Sequence, residues 1–225
     1  MPRMMTVFNF HGVGPLLRET APGERSCWLD TDHFEAILDR IQGWENVRIT
    51  FDDGNQSDYE IVLPALLKRG LHAVFFICSG RVGKSTFLNA TELQELCAKG
   101  MTIGSHGIHH QPWRTLDLTD LWKEVAVSRK VLEDLSGEPV ETAACPFGSY
   151  DHRVLRNLKK AGYRTVFTSD GGTCEEAEWL MARITIKRSF SLGVIDGLLS
   201  HPPGSVRRFL NRARISLKSM RPSPR

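Results

Sequence analysis

Two adjacent carboxylates, Asp52 and Asp53, close the apolar run 47–51 and are followed at once by Gly54. Neighbouring residues at a strand end point in different directions, so one carboxylate can bind a cation while the other faces a water or a substrate. Gly54 lets the backbone turn away sharply behind them. An isolated Asp-Asp-Gly is ordinarily a turn that caps the next helix. A second cluster changes that reading. In Gly104-Ser105-His106-Gly107-Ile108-His109-His110 the histidines at 106 and 110 are four apart, a spacing that puts both on one face of a helical turn. Two imidazoles and one carboxylate, with Asp53 the nearer candidate, would form a two-His-one-Asp site with open positions for water. By spacing alone His109 competes for the same role.

These residues need elements that bring them together. Short β-branched or aromatic runs at 5–10, 47–51, 73–78, 101–103, 140–145, 164–168 and 183–186 read as strands. Helical patterns lie between them at 32–42, 57–69, 91–98, 118–135, 151–161 and 192–199. Gly70, Gly100, Gly137 and Gly162 each follow a helical pattern, where a left-handed residue ends a helix, and Thr91 with Gln94 resembles a capping box. Regular alternation predicts a mostly parallel sheet. With no Gly-x-Gly-x-x-Gly turn, a closed α/β barrel of seven or eight units is the expected form. In such a barrel all strand C-termini open on one face. His11, the Asp pair, the histidine cluster, Tyr150 and Asp170 all come just after strand runs, so they converge there.

Composition narrows the class. The 225 residues are 41% hydrophobic and 24% charged, within the globular range, and the formal net charge is +3. The last 20 residues carry seven Lys or Arg and no acid, which leaves the rest of the chain at −4. A slightly acidic body argues against nucleic-acid binding. Five cysteines with no Cys-x-x-Cys pair fit neither a disulfide framework nor a zinc knuckle, so reduced, mostly buried thiols are expected. The apolar runs are too short to span a bilayer and the N-terminus lacks a signal-peptide pattern, which predicts a cytoplasmic protein, in peripheral membrane contact if the basic tail is a membrane-binding helix. The expected division is a catalytic domain over 1–204 and a tail over 205–225. Val206, Phe209, Leu210, Ala213 and Leu217 recur at helical spacing among arginines, the pattern of a basic amphipathic helix.

Thr50-Phe51-Asp52-Asp53-Gly54, Ser105-His106-x-x-x-His110 and Pro146-Phe147-Gly148-Ser149-Tyr150 resemble the first three motifs of the polysaccharide deacetylases, carbohydrate esterase family 4 or the NodB-homology domain. The resemblance spans roughly residues 5–188. It implies a distorted (β/α)7 barrel of the NodB type and removal of an N-acetyl group from an amino sugar in a polysaccharide, oligosaccharide or glycan precursor. It also implies a divalent metal, zinc first, with Co2+, Ni2+ or Mn2+ as alternatives, held by Asp53, His106 and His110. Asp52 is then the general base, and Pro146, Phe147, Gly148 and Tyr150 supply a groove wall and a backbone donor for the oxyanion.

Two family features are missing. Ala144 stands where an arginine commonly orients the base, so that job falls to another cation such as Arg183 or Arg114, or to none. The late Leu-x-x-x-His element is absent too, because Leu198-Leu199-Ser200-His201 has the wrong spacing. The N-terminal Phe8-Asn9-Phe10-His11-Gly12-Val13 resembles the opening of deacetylases with rearranged motif order, which implies that His11 is the general acid; Asp170, before two glycines, either orients that histidine or simply forms a turn. Trp113 and Trp179 are candidates for stacking on a sugar face. Two rivals keep the barrel and change the function: hydrolysis of another linear amide or imide on the same metal site, or carbohydrate binding without turnover.

Overall fold

The computed structural model describes residues 3–20, 23–200 and 215–218. Seven positions of parallel strand form a nearly closed barrel in the order β1 (Met4–Phe10), β2 (Val47–Asp53), β3 (Ala73–Ile77), β4 (Thr102–Ser105), β5 (Thr142–Ala144), β6 (Thr165–Thr168), and β8 (Leu180–Ala182) with β9 (Ile184–Thr185). β8 pairs with β6 and β9 pairs with β1, so one chain segment, interrupted at Arg183, closes the ring. β7 (Thr173–Glu175) runs antiparallel against the first half of β1. The sequence pattern predicts 183–186 as a single strand and misses β7 and β8, because three-residue strands are too short to show a period.

Helices α1 (Thr31–Ile41), α2 (Leu63–Lys68), α3 (Ala90–Ala98), α4 (Leu118–Trp122), α5 (Ser128–Ser136), α6 (His152–Lys160) and α7 (Leu192–Ser200) surround the strands. π-helical segments Asp58–Val62 and Lys123–Val127 run directly into α2 and α5. The four glycines expected at helix ends all have positive φ, from 63° to 84°. The capping box differs by two residues from expectation: Asn89 and Glu92 make the reciprocal bonds, since Asn89 is the last extended residue before α3. Among the described residues no helix is long and apolar enough to cross a membrane.

Strand alternation sorts the residues into two layers. Phe10, Phe51 and Phe75 face outward and stack at centroid distances of 5.3 and 5.0 Å, with Phe34 of α1 edge-on at 5.5 and 5.9 Å. Each such buried side chain contributes about 1.5–3 kcal/mol. The alternate residues fill the lumen: Met5, Val7, Phe76, Ala144, Phe167 and Met181 form a separate apolar plug. Above it, toward the strand C-termini, the inward positions become polar, with Asn9, Thr50, Asp52 and Arg183 all buried. His201 and the tail residues 205–214 and 219–225 lie outside the described residues.

Candidate active site

A cavity of about 180 Å³ opens at the C-terminal ends of the strands and is lined by His11, Asp52, Asp53, His106, His110 and Arg183, among others. Asp53, His106 and His110 each place a ligand atom within 4.8 Å of the others. The route to this cluster is not a helical turn. His106 follows the end of β4, and the chain then passes through Gly107 at φ 83° to His110 at φ 57°, so a looped backbone brings the two rings to a centroid distance of 5.0 Å. Asp53 has φ 85°. That left-handed twist lets its side chain reach the cavity that the preceding inward residue, Asp52, already faces. Among the described residues four non-glycines have positive φ, and Asp53, His110 and the cavity-lining Phe147 are three of them. Strain of about 1–3 kcal/mol per residue concentrated at one site is a signature of function.

The donor set suits a divalent metal. The Nδ1 of His106 donates to Ala144 O at 2.8 Å, which leaves Nε2 as the free lone pair. Burial, more than any neighbour, lowers the pKa of His110 to about 4, and burial likewise lowers that of His106, so both rings are neutral at neutral pH as metal ligands must be. Burial alone would raise the pKa of Asp53, but the nitrogen groups around it, His110, His106 and His11 when protonated and Arg81, outweigh burial and lower it, so the carboxyl is ionised. His109 turns away. Its Nδ1 and backbone N–H bond the buried Glu124 at 2.7 and 3.1 Å, and its side chain is 64% exposed.

Asp52 is gripped by Arg183 through two hydrogen bonds of 2.7 and 2.8 Å, and Asn9 Nδ2 donates to its Oδ2 at 2.9 Å. Burial again acts to raise this pKa, and the Arg183 charge and hydrogen bonds lead in overcoming it, so Asp52 ionises well below the usual carboxylate range. Its Oδ2 lies 3.8 Å from His106 Nε2, beside the ligand cluster. Of the two candidate cations, Arg183 is the one bonded to Asp52, while Arg114 donates its backbone N–H to Ser149 Oγ and offers its carbonyl to Arg153. Asn9 and Thr50, which both bond Arg183 Nη1, are absent from the sequence-based set. Polar residues two positions before His11 and Asp52, on the same strand face, were the signal that could have found them.

The remaining expectations divide. His11 lines the cavity, and among the described residues its buried Nδ1 has no hydrogen-bond partner. Asp170 does not orient it, because that carboxylate accepts from Tyr150 Oη at 2.5 Å and from Lys218 Nζ at 2.7 Å. Tyr150 is fully buried, with its hydroxyl donating to Asp170, and Pro146 is buried as well. Phe147 and Gly148 do line the cavity, the Phe147 ring 4.4 Å from that of His110. The amides of Gly148 and Ser149 already donate to Cys145 O and Pro146 O, so neither is available to an oxyanion. Trp113 is entirely buried beneath Gly107, and Trp179 donates to Tyr163 O under Lys159; the aromatic at the cavity mouth is Phe147. Cys145 also lines the cavity, but burial pushes its thiol up to about 12, so it is no nucleophile.

The family model described as polysaccharide deacetylase matches residues 42–166, more than half of the chain. The chain belongs to the polysaccharide deacetylase family. Its sequence is 28% identical over 136 residues to YxkH of Bacillus subtilis, covering 60% of this chain and 49% of that protein. It is also 28% identical over 138 residues to the poly-beta-1,6-N-acetyl-D-glucosamine N-deacetylase of Staphylococcus aureus, covering 55% of this chain and 47% of that one. The polysaccharide deacetylase chain described here thus spans about half the length of these relatives. Its fold is shared with the deacetylase PplD of Streptococcus pyogenes, solved with acetate, at a TM-score of 0.77 and 18% identity, over 89% of this chain and 100% of that one.

Proposed function

We propose that this chain is a metal-dependent hydrolase that removes the N-acetyl group from an amino sugar in a polysaccharide, oligosaccharide or glycan precursor. The observation that carries the proposal is the ionised Asp52, clamped by Arg183, beside the Asp53, His106 and His110 cluster in one cavity. Membership of a deacetylase family, with a relative named for poly-beta-1,6-N-acetyl-D-glucosamine, supports an N-acetylated glycan as the substrate class.

Asp53, His106 and His110 would hold the ion, zinc being the first candidate for a site of two imidazoles and one carboxylate. When bound, such an ion acidifies a water and polarises the acetamide carbonyl. Asp52 takes the proton of the attacking water; Arg183 and Asn9 fix both of its oxygens, so it needs no reorientation to do so. His11, on the same rim, delivers a proton to the departing amine. Phe147 offers an apolar face at the mouth against which a sugar ring can rest. The deciding experiment is acetate release from N-acetylglucosamine oligomers by the zinc-loaded chain. Zinc-dependent acetate release is expected. Oligomer binding without release would leave a carbohydrate-binding barrel, and release from non-sugar amides alone would move the substrate class.

A further inference from the structure

The loop 79–88 contains none of the residues assigned above, yet it is bonded to both halves of the ligand cluster. Leu88 N donates to Gly54 O at 3.0 Å, immediately after Asp53. Ser79 N donates to Gly107 O at 2.9 Å and Gly80 N to Ile108 O at 3.1 Å, between His106 and His110. The approach at Gly80 is so close that a Cβ there would stand 2.7 Å from Ile108 O. From the same loop Arg81 sends Nη1 to Asp53 Oδ1 at 2.9 Å. Among the described residues Arg81 is the side chain that donates a hydrogen bond to Asp53, and His110 Nε2 stands 3.3 Å from the same oxygen across the cluster. Its guanidinium lies 5.0 Å from the Phe87 ring, which also carries Arg18 at 5.1 Å, and Arg18 is tied in turn to Asn55 at 2.9 Å and to Glu24.

We infer that Arg81 is a positioning residue for the metal ligand Asp53, and that loop 79–88 is the brace that sets the spacing of the ligand cluster. The inference rests on the metal-site reading above. Asp53 ends β2 with a left-handed backbone and could present its carboxylate in several rotamers. One donor arriving from outside the cavity selects a single presentation. Two effects of removing Arg81 oppose each other. Loss of a nearby positive charge favours a divalent cation, and loss of orientation disfavours it. Breaking such outer partners of metal ligands typically costs about ten- to a hundredfold in metal affinity, so orientation decides the sign.

The test is zinc titration of the full chain against a chromophoric chelator, without sugar. Arg81→Met is expected to weaken zinc binding about 10- to 100-fold. Arg81→Lys, which keeps the charge and one donor, should fall between Met and wild type, and it serves alone if the Met variant does not fold. Excess zinc should restore the turnover of Arg81→Met, a rescue that a collapsed site would not give. Zinc affinity within twofold of wild type, or tighter, overturns the positioning role. A wild-type chain that binds no zinc overturns this inference and the metal-site reading together, whereas a wild-type chain that binds zinc beside Arg81 variants that bind it equally well overturns the inference alone.

Discussion

Arg183 meets Asp52 fork to fork, Nη1 on Oδ1 at 2.7 Å and Nη2 on Oδ2 at 2.8 Å, with both side chains buried. Arg183 is also the residue between β8 and β9, where the barrel closes. One ion pair therefore joins the closure of the fold to the carboxylate proposed as the base. Removing one partner of a buried pair costs about 3–5 kcal/mol, because the other charge is left uncompensated. Arg183→Met is expected to lose that much, while Asp52→Asn with Arg183→Met should regain most of the stability and none of the activity. Urea unfolding of the two variants checks this; a double variant no more stable than the single one would show that the pair is not the source.

The two adjacent aspartates should separate. Asp53→Asn removes an anionic ligand and should lower metal content and activity together. Asp52→Asn leaves the ligand cluster intact and should keep the metal while losing most turnover. Elemental analysis beside an acetate assay reads both. Near wild-type activity in either variant contradicts the assignment.

Among the histidines, His106→Ala and His110→Ala should each strongly weaken metal binding. His109→Ala should be mild, since Glu124 keeps the backbone amides of Ile108 and His109 as partners when the ring is gone. Metal titration of the three variants decides. A severe defect confined to His109 would place the ligand pair at the shorter spacing.

The strand runs, the Asp pair and the histidine spacing made the barrel and most of the cluster legible in the sequence, because period-two apolar runs and motif order are local properties. What stayed hidden depends on long-range geometry. Nothing near Arg183 in the sequence says that it turns into the lumen toward Asp52, 131 residues away. Arg81 has no motif around it, and its contact with Asp53 exists because β2 and β3 are neighbours. Asp170 looked free to serve His11 until Tyr150, 20 residues earlier, and Lys218, from the tail, were seen to claim it.

Asp58 supplies a pH test. It is fully buried, no side chain among the described residues bonds its carboxyl oxygens, and burial, reinforced by the Asp53 and Asp52 charges and only partly opposed by a backbone hydrogen bond at Asn55, raises its pKa well above the ordinary value. The folded chain therefore keeps its proton at pH values where the unfolded chain has lost it. Stability from this group is intact below the unfolded pKa of about 3.9 and falls by about 1.4 kcal/mol per pH unit above it, until the folded pKa is reached. Asp58→Asn mimics the neutral form. As pH rises above the unfolded pKa the metal-free variant should gain on the wild type, read as unfolding midpoints, and the gain should stop once the folded carboxyl ionises. A gap that does not change with pH would show that Asp58 is not protonated in the fold.

His11 is expected to act only where the leaving group needs a proton. An amine cannot leave a tetrahedral intermediate readily as an anion, so hydrolysis of a sugar acetamide requires an acid beside the departing nitrogen. His11 lines the cavity with Asp52 and the ligand cluster, and no carboxylate accepts from its Nδ1. A nitrophenolate, by contrast, leaves without protonation. His11→Ala should therefore cut turnover of an N-acetylglucosamine oligomer by about 10² to 10⁴ and leave metal content unchanged. On 4-nitrophenyl acetate the same variant should lose only a few-fold. His201→Ala should lose little on either substrate. Equal losses of His11→Ala on amide and ester would give His11 a role in binding or packing rather than in proton donation, and an essential His201 with a silent His11 would move the acid to the C-terminal side of the domain.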